Sequence, residues 1–191
     1  MRIIAGSSKG KTLISPTEKT RPTSDRAREG LFSSLESEFG SMADLNFLDL
    51  YSGSGAVGVE ALSRGAASVY SIEEHEPTAR IATQNFELVK NPTGKFSVIS
   101  SKAERFVSAP HQIAFDIIFM DPPYEVDNLV IENLLVEISK NNLLKRNGIV
   151  AIERETKMKP FTWPEPFIQE KIRSYGQGSI FYGGYSASVL P

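Results

Sequence analysis

The chain has 191 residues, of which 40% are apolar, enough to bury one substantial hydrophobic core. It contains no cysteine, which excludes disulfides, thiolate nucleophiles and thiolate zinc sites, and its two histidines stand apart, so no metal site is expected. No apolar stretch approaches the length of a membrane span, and the N-terminus MRIIAGSSKGK lacks the apolar region of a signal peptide, so we expect a cytoplasmic protein.

The net charge of -2 is distributed unevenly along the chain. Residues 1–30 contain seven Lys/Arg and three Asp/Glu, a net charge of +4, whereas residues 31–191 have a net charge of -6. A basic head on an acidic body is typical of a catalytic domain with an appendage that binds a polyanion. Flexible N-termini are often basic without binding anything, so charge alone leaves both interpretations open.

The first predicted elements lie at the N-terminus. Residues 2–6 and 11–15 are joined by glycine and serine, which predicts a short β-hairpin. A proline-bearing segment then leads to a predicted helix over residues 27–39, and Ser24 or Asp25 can cap that helix.

From residue 46 onward, strands and helices alternate. Predicted strands cover residues 46–51, 68–73, 96–100, 115–121 and 148–154. Predicted helices cover residues 57–65, 77–90, 103–109 and 128–144. Such alternation is typical of an α/β fold with a parallel, doubly wound sheet. Two last strands, joined at a glycine turn, are predicted to close the sheet as an antiparallel hairpin over residues 167–176 and 179–187.

These elements predict two parts in the chain. Residues 1–23 form a basic hairpin extension, and residues 24–191 form the main domain. We find no internal repeat and no interdomain linker in the sequence.

A glycine-rich loop follows the first strand of the alternation. Gly53, Gly55 and Gly58 in DLYSGSGAVGVEALSRG match G-x-G-x-x-G between a strand and a helix, as the motif requires. Glycines let the backbone turn tightly and approach a ligand, and the helix start offers unpaired N–H groups. Glu73 ends the second strand, where a carboxylate can bind both hydroxyls of a ribose. A glycine turn with a capping acid is the alternative without a ligand.

Both NAD and S-adenosylmethionine contain that ribose, and two features favour the second. Asp49 precedes the glycines, where a methyltransferase needs an acid for the charged amino-acid end of its cofactor. Neither His75 nor His111 lies at a strand end where a nicotinamide enzyme would place a proton donor.

The segment FMDPPYEV follows the fourth strand, which is predicted to lie beside the first. Pro122 and Pro123 fix φ and remove two N–H donors, so the loop is stiff and presents acceptors. Asp121 and the Pro122 carbonyl can then accept both hydrogens of an exocyclic amino group and direct its lone pair at a methyl group. Tyr124 can stack on a base drawn out of its helix. A stiff turn with an exposed acid is the alternative.

Together these motifs resemble a known family. DLYSGSGAVGVEALSRGA, the acid in SIEEHE, and FMDPPY resemble the motifs of amino-group methyltransferases that use S-adenosylmethionine. The head, MRIIAGSSKGK with RPTSDRAREGLFSSL, resembles that of the RsmD family, which methylates the N2 amino group of a guanine in 16S ribosomal RNA. The resemblance spans nearly the whole chain. It implies a Rossmann-like class I methyltransferase with a mostly parallel seven-stranded sheet, a C-terminal antiparallel hairpin and an N-terminal β-hairpin extension.

The resemblance also implies roles for individual residues. The expected cofactor-binding residues are Asp49, Gly53, Ser54, Gly55, Gly58 and Glu73. The expected catalytic residues are Asp121, Pro122, Pro123 and Tyr124. The head motif, expected near the mouth of the active site, matches at Arg21, Thr23, Asp25 and Arg28. From the charge of the head we expect phosphate contacts from Arg2, Lys9, Lys11, Arg21, Arg26 and Arg28.

One position departs from the family pattern. Similar enzymes often place Asp or Asn after the third strand to accept a hydrogen bond from the adenine amino group, whereas this chain has Lys102, which cannot accept one. We therefore expect Ser101 or the backbone around Ala103 to take this role and Lys102 to be exposed.

The resemblance implies a bacterial enzyme whose partner is 16S ribosomal RNA within an assembled small ribosomal subunit, and we expect a monomer. Within the same chemistry, the DPPY loop also fits adenine N6 in DNA or a glutamine amide in protein. Two alternatives from other classes stay open. One is a nicotinamide-dependent oxidoreductase, and the other is an RNA-binding assembly factor without turnover.

Overall fold

The structure is a computed structural model that describes residues 1–15, 24–91 and 93–186. Its helices are α1 (Asp25–Phe39), α2 (Ala56–Ser63), α3 (Glu76–Glu87), α4 (Ala103–Val107) and α5 (Asn128–Lys140). Its strands are β1 (Asn46–Leu50), β2 (Ser68–Glu73), β3 (Lys95–Ser100), β4 (Phe115–Met120), β5 (Leu144–Glu155), β6 (Phe167–Tyr175) and β7 (Gly178–Tyr185). Within these described ranges, no helix has the length and apolar character needed to cross a bilayer.

All of these strands belong to one sheet, with the order β3-β2-β1-β4-β5-β7-β6. β7 runs antiparallel to β5 and β6, and the other neighbouring pairs are parallel. The predicted doubly wound sheet and its antiparallel closing hairpin are therefore confirmed. The chain proceeds from β1 through β2 to β3 and then returns to β4 on the other side of β1. The strand order thus reverses between β1 and β4.

The sheet is covered on both faces by helices. Successive residues of a strand point to opposite faces, so β1 contributes Phe47 to one core and Leu48 to the other. The first core lies under α1 and α2, and the second lies under α4 and α5. Because the central strands are buried on both faces, they appear in the sequence as nearly continuous apolar runs.

Helix α1 begins at the predicted cap. The Ser24 hydroxyl accepts a hydrogen bond from the N–H of Ala27 (3.1 Å), so Ser24 is the N-cap and Asp25 is the first helical residue. The helix ends where Gly40 adopts a positive φ of 77° and donates its N–H to the Glu36 carbonyl.

Residues 1–15, here called the N-terminal arm, fold back on themselves. Arg2 and Thr12 form one antiparallel bridge, and the N–H of Leu13 donates to the Met1 carbonyl (3.0 Å). The arm is thus a short hairpin-like turn whose two limbs are joined by several backbone hydrogen bonds. Ile3 and Leu13 are buried in the core under α1 and α2, so the arm packs against the main domain.

A buried carboxylate fastens this arm to the domain. Glu60 of α2 accepts hydrogen bonds from the N–H groups of Ile4 (2.8 Å) and Ala5 (2.9 Å). The same carboxylate pairs with Arg64 (2.9 Å) and lies 3.9 Å from Nε of Arg28. The side chains of Arg28 and Glu60 are fully buried, so each charge depends on the other groups of the network for stabilisation.

We expect Glu60→Ala to lower the free energy of unfolding by about 3 to 5 kcal/mol, because it leaves the Arg28 cation buried without this carboxylate. Urea unfolding measures the change, and Glu60→Gln, which keeps the shape and one acceptor oxygen, should lose less stability. As a control, Glu76→Ala removes an exposed ion pair with Arg80 and should change stability little. Equal unfolding midpoints for Glu60→Ala and Glu76→Ala would contradict this role.

Candidate active site

The two predicted functional loops leave the sheet side by side. β1 pairs in parallel with β4, and the last pair in register is Leu50 opposite Met120. The glycine loop (residues 51–55) follows the first of these residues, and the DPPY loop (residues 121–126) follows the second. Both loops therefore lie at the reversal of strand order, where ligands bind in doubly wound folds.

The glycine loop adopts backbone conformations that favour glycine. Gly53 and Gly55 have positive φ angles of 53° and 76°, and Gly55 is the N-cap of α2. A side chain at Gly53 would meet no atom within 4 Å, so its position faces open space beside the loop. Tyr51 also has a positive φ, 63°, which is uncommon for an aromatic residue. The loop thus makes a tight turn with room for a ligand at Gly53.

Gly58 and Ser54 support this loop. A Cβ atom at Gly58 would lie 2.8 Å from the Phe86 ring and 2.8 Å from the Ser71 hydroxyl, so glycine allows α2 to pack closely against β2 and α3. The Ser54 carbonyl accepts a hydrogen bond from the side-chain amide of Asn85 (2.9 Å). Both residues therefore fix the loop, and Ser54 is itself buried.

The two predicted cofactor-binding acids lie on either side of the glycine loop. Glu73, at the end of β2, accepts the N–H of Gly53 (2.9 Å) on one oxygen and the N–H of His75 (2.8 Å) on the other. Asp49, within β1, is buried and accepts the N–H of Gly58 (3.1 Å). Each carboxylate oxygen has more than one lone pair, so these bonds leave acceptor capacity for ligand hydroxyl or ammonium groups.

The electrostatics of this region favour a positively charged ligand. Burial raises the pKa of Asp49 well above its usual range, the N–H of Gly58 opposes this shift, and the carboxylates of Asp121 and Glu73 add to it. A cationic ligand would offset this concentration of negative charge, whereas a pyrophosphate would be repelled by it. The Ser52 hydroxyl is buried and has no hydrogen-bond partner within the described ranges. These observations fit S-adenosylmethionine, with its sulfonium and ammonium groups, better than NAD.

The residues after β3 lie beside Glu73. The N–H of Ser101 donates to the Glu73 carbonyl (3.1 Å), and Ala103 is buried at the start of α4. Lys102 is exposed, as expected, and its ammonium lies 3.4 Å from Glu74. An adenine contact from Ser101 or the backbone of Ala103 stays a prediction.

The DPPY loop is short and fixed at its far end. Pro122 is buried, Asp121 and Tyr124 are half-buried, and Pro123 is exposed. The N–H of Val126 donates to the Pro123 carbonyl (3.0 Å), which closes a turn directly before α5. Half-buried Asp121 therefore directly follows the carboxyl end of β4, on the same side of the sheet as the glycine loop at the carboxyl end of β1.

Three of the predicted phosphate-binding residues come together elsewhere on the surface. Arg2, Lys9 and Arg26 line a cavity of about 330 Å³ between the N-terminal arm and the start of α1. Asp25 and Glu29 also line it, so the cavity is mixed in charge with an excess of basic groups.

Arg28 does not join this group. Its guanidinium donates to the Arg2 carbonyl (2.6 Å) and to the Asp25 carboxylate (3.0 Å), and the side chain has no exposed surface. Burial lowers its pKa, while Glu60 and Asp25 raise it. The expected phosphate contact from Arg28 is therefore not supported, because the guanidinium holds the arm onto α1 and α2.

The remaining predicted head residues are Lys11, Arg21 and Thr23. The Lys11 ammonium donates to the Leu88 carbonyl and is half-buried, so part of its hydrogen-bonding capacity is used within the protein. Arg21 and Thr23 lie outside the described residues. Among the residues that the structure does describe, no group of three or more His, Asp or Glu side chains could hold a metal ion.

Two buried polar residues near the loops were missed by sequence reasoning. Arg154 ends the apolar run GIVAIER in β5, and its guanidinium reaches the DPPY loop. Asn85 lies on the buried face of α3, where its side chain bonds both Ile14 of the arm and Ser54 of the glycine loop. The available signal was a strongly polar residue at a predicted core position, since such groups need specific partners.

Comparison with known proteins agrees with this arrangement. Residues 1–183 match the family model described as "Conserved hypothetical protein 95". The chain is 34% identical over 178 residues to ribosomal RNA small subunit methyltransferase D of Haemophilus influenzae, which covers 92% of this chain and 89% of the relative. The solved structure of Escherichia coli yhhF matches with a TM-score of 0.82 at 28% identity, covering 97% of this chain and 98% of the other.

A more distant structure shares the fold. Magnesium protoporphyrin IX methyltransferase from Synechocystis, solved with bound S-adenosylmethionine, has a TM-score of 0.64 at 13% identity over 83% of this chain and 78% of its own. Fold and site together define a Rossmann-like class I methyltransferase that uses S-adenosylmethionine. The chain belongs to the RsmD family, which confirms the resemblance carried by its motifs.

We expect Glu73→Ala to weaken binding of S-adenosylhomocysteine at least about tenfold, because hydrogen bonds to a charged group contribute about 1.5 to 3 kcal/mol each. Isothermal calorimetry measures this, and Glu87→Gln, an exposed change at the far end of α3, is the control. Unchanged affinity in Glu73→Ala would exclude the ribose role, and binding of NADH alone by the wild-type protein would contradict the cofactor assignment.

Proposed function

We propose that this protein transfers a methyl group from S-adenosylmethionine to the N2 amino group of a guanine in 16S ribosomal RNA. The observation that carries the proposal is the side-by-side exit of the glycine loop and the DPPY loop from the paired strands β1 and β4. Membership of the RsmD family supports the ribosomal substrate. This family membership also favours ribosomal RNA over adenine in DNA or glutamine in protein as the substrate.

Bound S-adenosylmethionine supplies a methyl group carried on a positively charged sulfur. In this proposal Glu73 accepts hydrogen bonds from the ribose hydroxyls, and Asp49 offsets the positive charge of the amino-acid end. Gly53 leaves the space beside the loop that the ligand requires. These residues bind and orient, and the residues after β4 act on the nucleophile.

The amino group of guanine is a poor nucleophile because its nitrogen lone pair is delocalised into the ring. The Asp121 carboxylate and the Pro122 carbonyl accept its two hydrogens, which favours a pyramidal nitrogen whose lone pair points at the methyl group. The Asp121 carboxylate can also accept the proton that this nitrogen loses when it gains the methyl group. Holding the two reacting groups in line contributes much of the rate by positioning alone.

The target base must leave its stack to reach this loop. Tyr124 is half-buried three positions after Asp121, so its ring can stack on the extruded base. The basic groups Arg2, Lys9 and Arg26, which outnumber the two acids in their shared cavity, would hold phosphates of the flanking RNA. We propose an assembled small subunit as the substrate, in line with the small-subunit designation of the relative.

Asp121→Ala should abolish methyl transfer and leave affinity for S-adenosylhomocysteine within about twofold, because the substitution removes an acceptor for the amino group and leaves the glycine loop intact. Small subunits that lack their methylguanines are the substrate, and mass mapping of the RNA identifies the product. Wild-type turnover in Asp121→Ala would exclude the assigned role. Binding of subunits by the wild-type protein without any methylation would favour an assembly factor over an enzyme.

Neutralising the cavity should weaken RNA binding and reduce its dependence on salt. The logarithm of the binding constant falls linearly as the logarithm of the salt concentration rises. For the double variant Lys9→Gln with Arg26→Gln, this slope should become shallower by roughly 1.5, since each lost phosphate contact removes about 0.7 to 0.9. Filter binding at several salt concentrations measures this. The matched control, Lys95→Gln with Lys140→Gln, should keep the wild-type slope. An unaltered slope in the first variant would remove these residues from the RNA interface.

A further inference from the structure

A buried arginine lies behind the DPPY loop. β5 continues beyond the end of β4, because Ile152 is opposite Met120, the last residue of β4, and Arg154 follows two positions later. Residues two apart on a strand share a face, so Arg154 points to the same side as Ile152, towards the core under α5. Arg154 is only 2% exposed, which is unusual for an arginine.

The guanidinium spans the turn that follows Pro122. Its Nη2 donates to the Val126 carbonyl (2.7 Å) and lies 3.4 Å from Oδ1 of Asn128, the first residue of α5. Its Nη1 donates to the Pro123 carbonyl at a longer 3.4 Å. A planar fork with several fixed donors can hold the two carbonyls in one geometry. The loop is thereby fastened to β5 on one side and to α5 on the other.

The charge of Arg154 also acts on this region. Burial lowers the pKa of Arg154, while the nearby Tyr51, Asp121, Asp127 and Tyr124 raise it. An arginine remains protonated in proteins, so a permanent cation lies close to the DPPY loop. It attracts the Asp121 carboxylate, the group assigned here to accept the hydrogens of the amino group.

We propose that Arg154 is a positioning residue for methyl transfer. By fixing the carbonyls of Pro123 and Val126, it holds the preceding Asp121 carboxylate and Pro122 carbonyl at the spacing that an amino group requires. This inference rests on the proposed function. If residue 154 had only a packing role, an apolar side chain would suffice, since replacing buried charges with apolar groups is often neutral or stabilising.

Two substitutions separate positioning from packing. Arg154→Met keeps the approximate length of the side chain and removes its charge and donors, whereas Arg154→Lys keeps the charge and at least one donor. We expect kcat to fall about 10- to 100-fold in Arg154→Met, as for a small misplacement of reacting groups, and to recover in part in Arg154→Lys. The KM for small subunits and the affinity for S-adenosylhomocysteine should stay within about twofold.

The control is Arg146→Met, an exposed arginine near the start of the same strand, at the opposite end of β5 from Arg154. It should leave kcat at the wild-type value. Thermal unfolding of each variant shows the temperature range in which it is folded, and kinetics are measured within that range. If Arg154→Met does not fold, Arg154→Lys takes its place in the test. A kcat below the wild-type value with an unchanged KM would then support the positioning role, and a wild-type kcat would contradict it.

A second readout does not depend on the RNA substrate. The N–H of Val126 donates to the Pro123 carbonyl, so loosening of the turn should speed amide hydrogen exchange at Val126 at least about tenfold in Arg154→Met. A wild-type protein that methylates no ribosomal RNA would end the proposed function, and exchange at Val126 would still test whether Arg154 holds the loop. Wild-type kcat together with wild-type exchange in Arg154→Met would overturn the inference, as would a loss of cofactor affinity equal to the loss of kcat.

Discussion

The parallel pairing of β1 with β4 is the constraint on which the active site depends. Because the two strands end level, at Leu50 and Met120, the glycine loop and the DPPY loop start next to each other without any contact having to hold them together. A shift of register by one residue would reverse the faces of β4 and displace its loop along the strand axis. The apolar side chains buried on both faces of these strands oppose such a shift, so the cores under the helices also fix the geometry of the site.

Acidic and basic groups form two distinct clusters, which match two different ligands. The carboxylates of Asp49 and Glu73 contact residues of the glycine motif, where a cationic cofactor fits, and Asp121 is close enough to add to the raised pKa of Asp49. The basic groups of the N-terminal arm lie apart from them, beside the start of α1. Glu60 maintains this separation because its buried carboxylate anchors the arm. A detached arm would no longer hold its basic groups beside the start of α1.

Sequence reasoning succeeded where a local pattern determines the structure. Alternating elements predicted the sheet, Ser24 was one of two candidates for the cap of α1, and Lys102 was expected to be exposed. It failed where burial depends on the tertiary fold. Arg28 was counted as a surface cation although its partners come from the arm and from α2, and Arg154 was hidden within an apolar strand. A sequence lists charges, but only packing decides which of them are enclosed.

The outer strand of the C-terminal hairpin has a consequence for solubility. β6 is an edge of the sheet, and an edge strand offers unpaired N–H and C=O groups to any other extended chain. Glu170, Lys171 and Arg173 lie along this strand. A foreign strand that paired there would have to remove water from these charges, which opposes edge-to-edge pairing. Ile168 and Ile172 of the same strand are also exposed, so these charges are what opposes pairing of this edge with another chain.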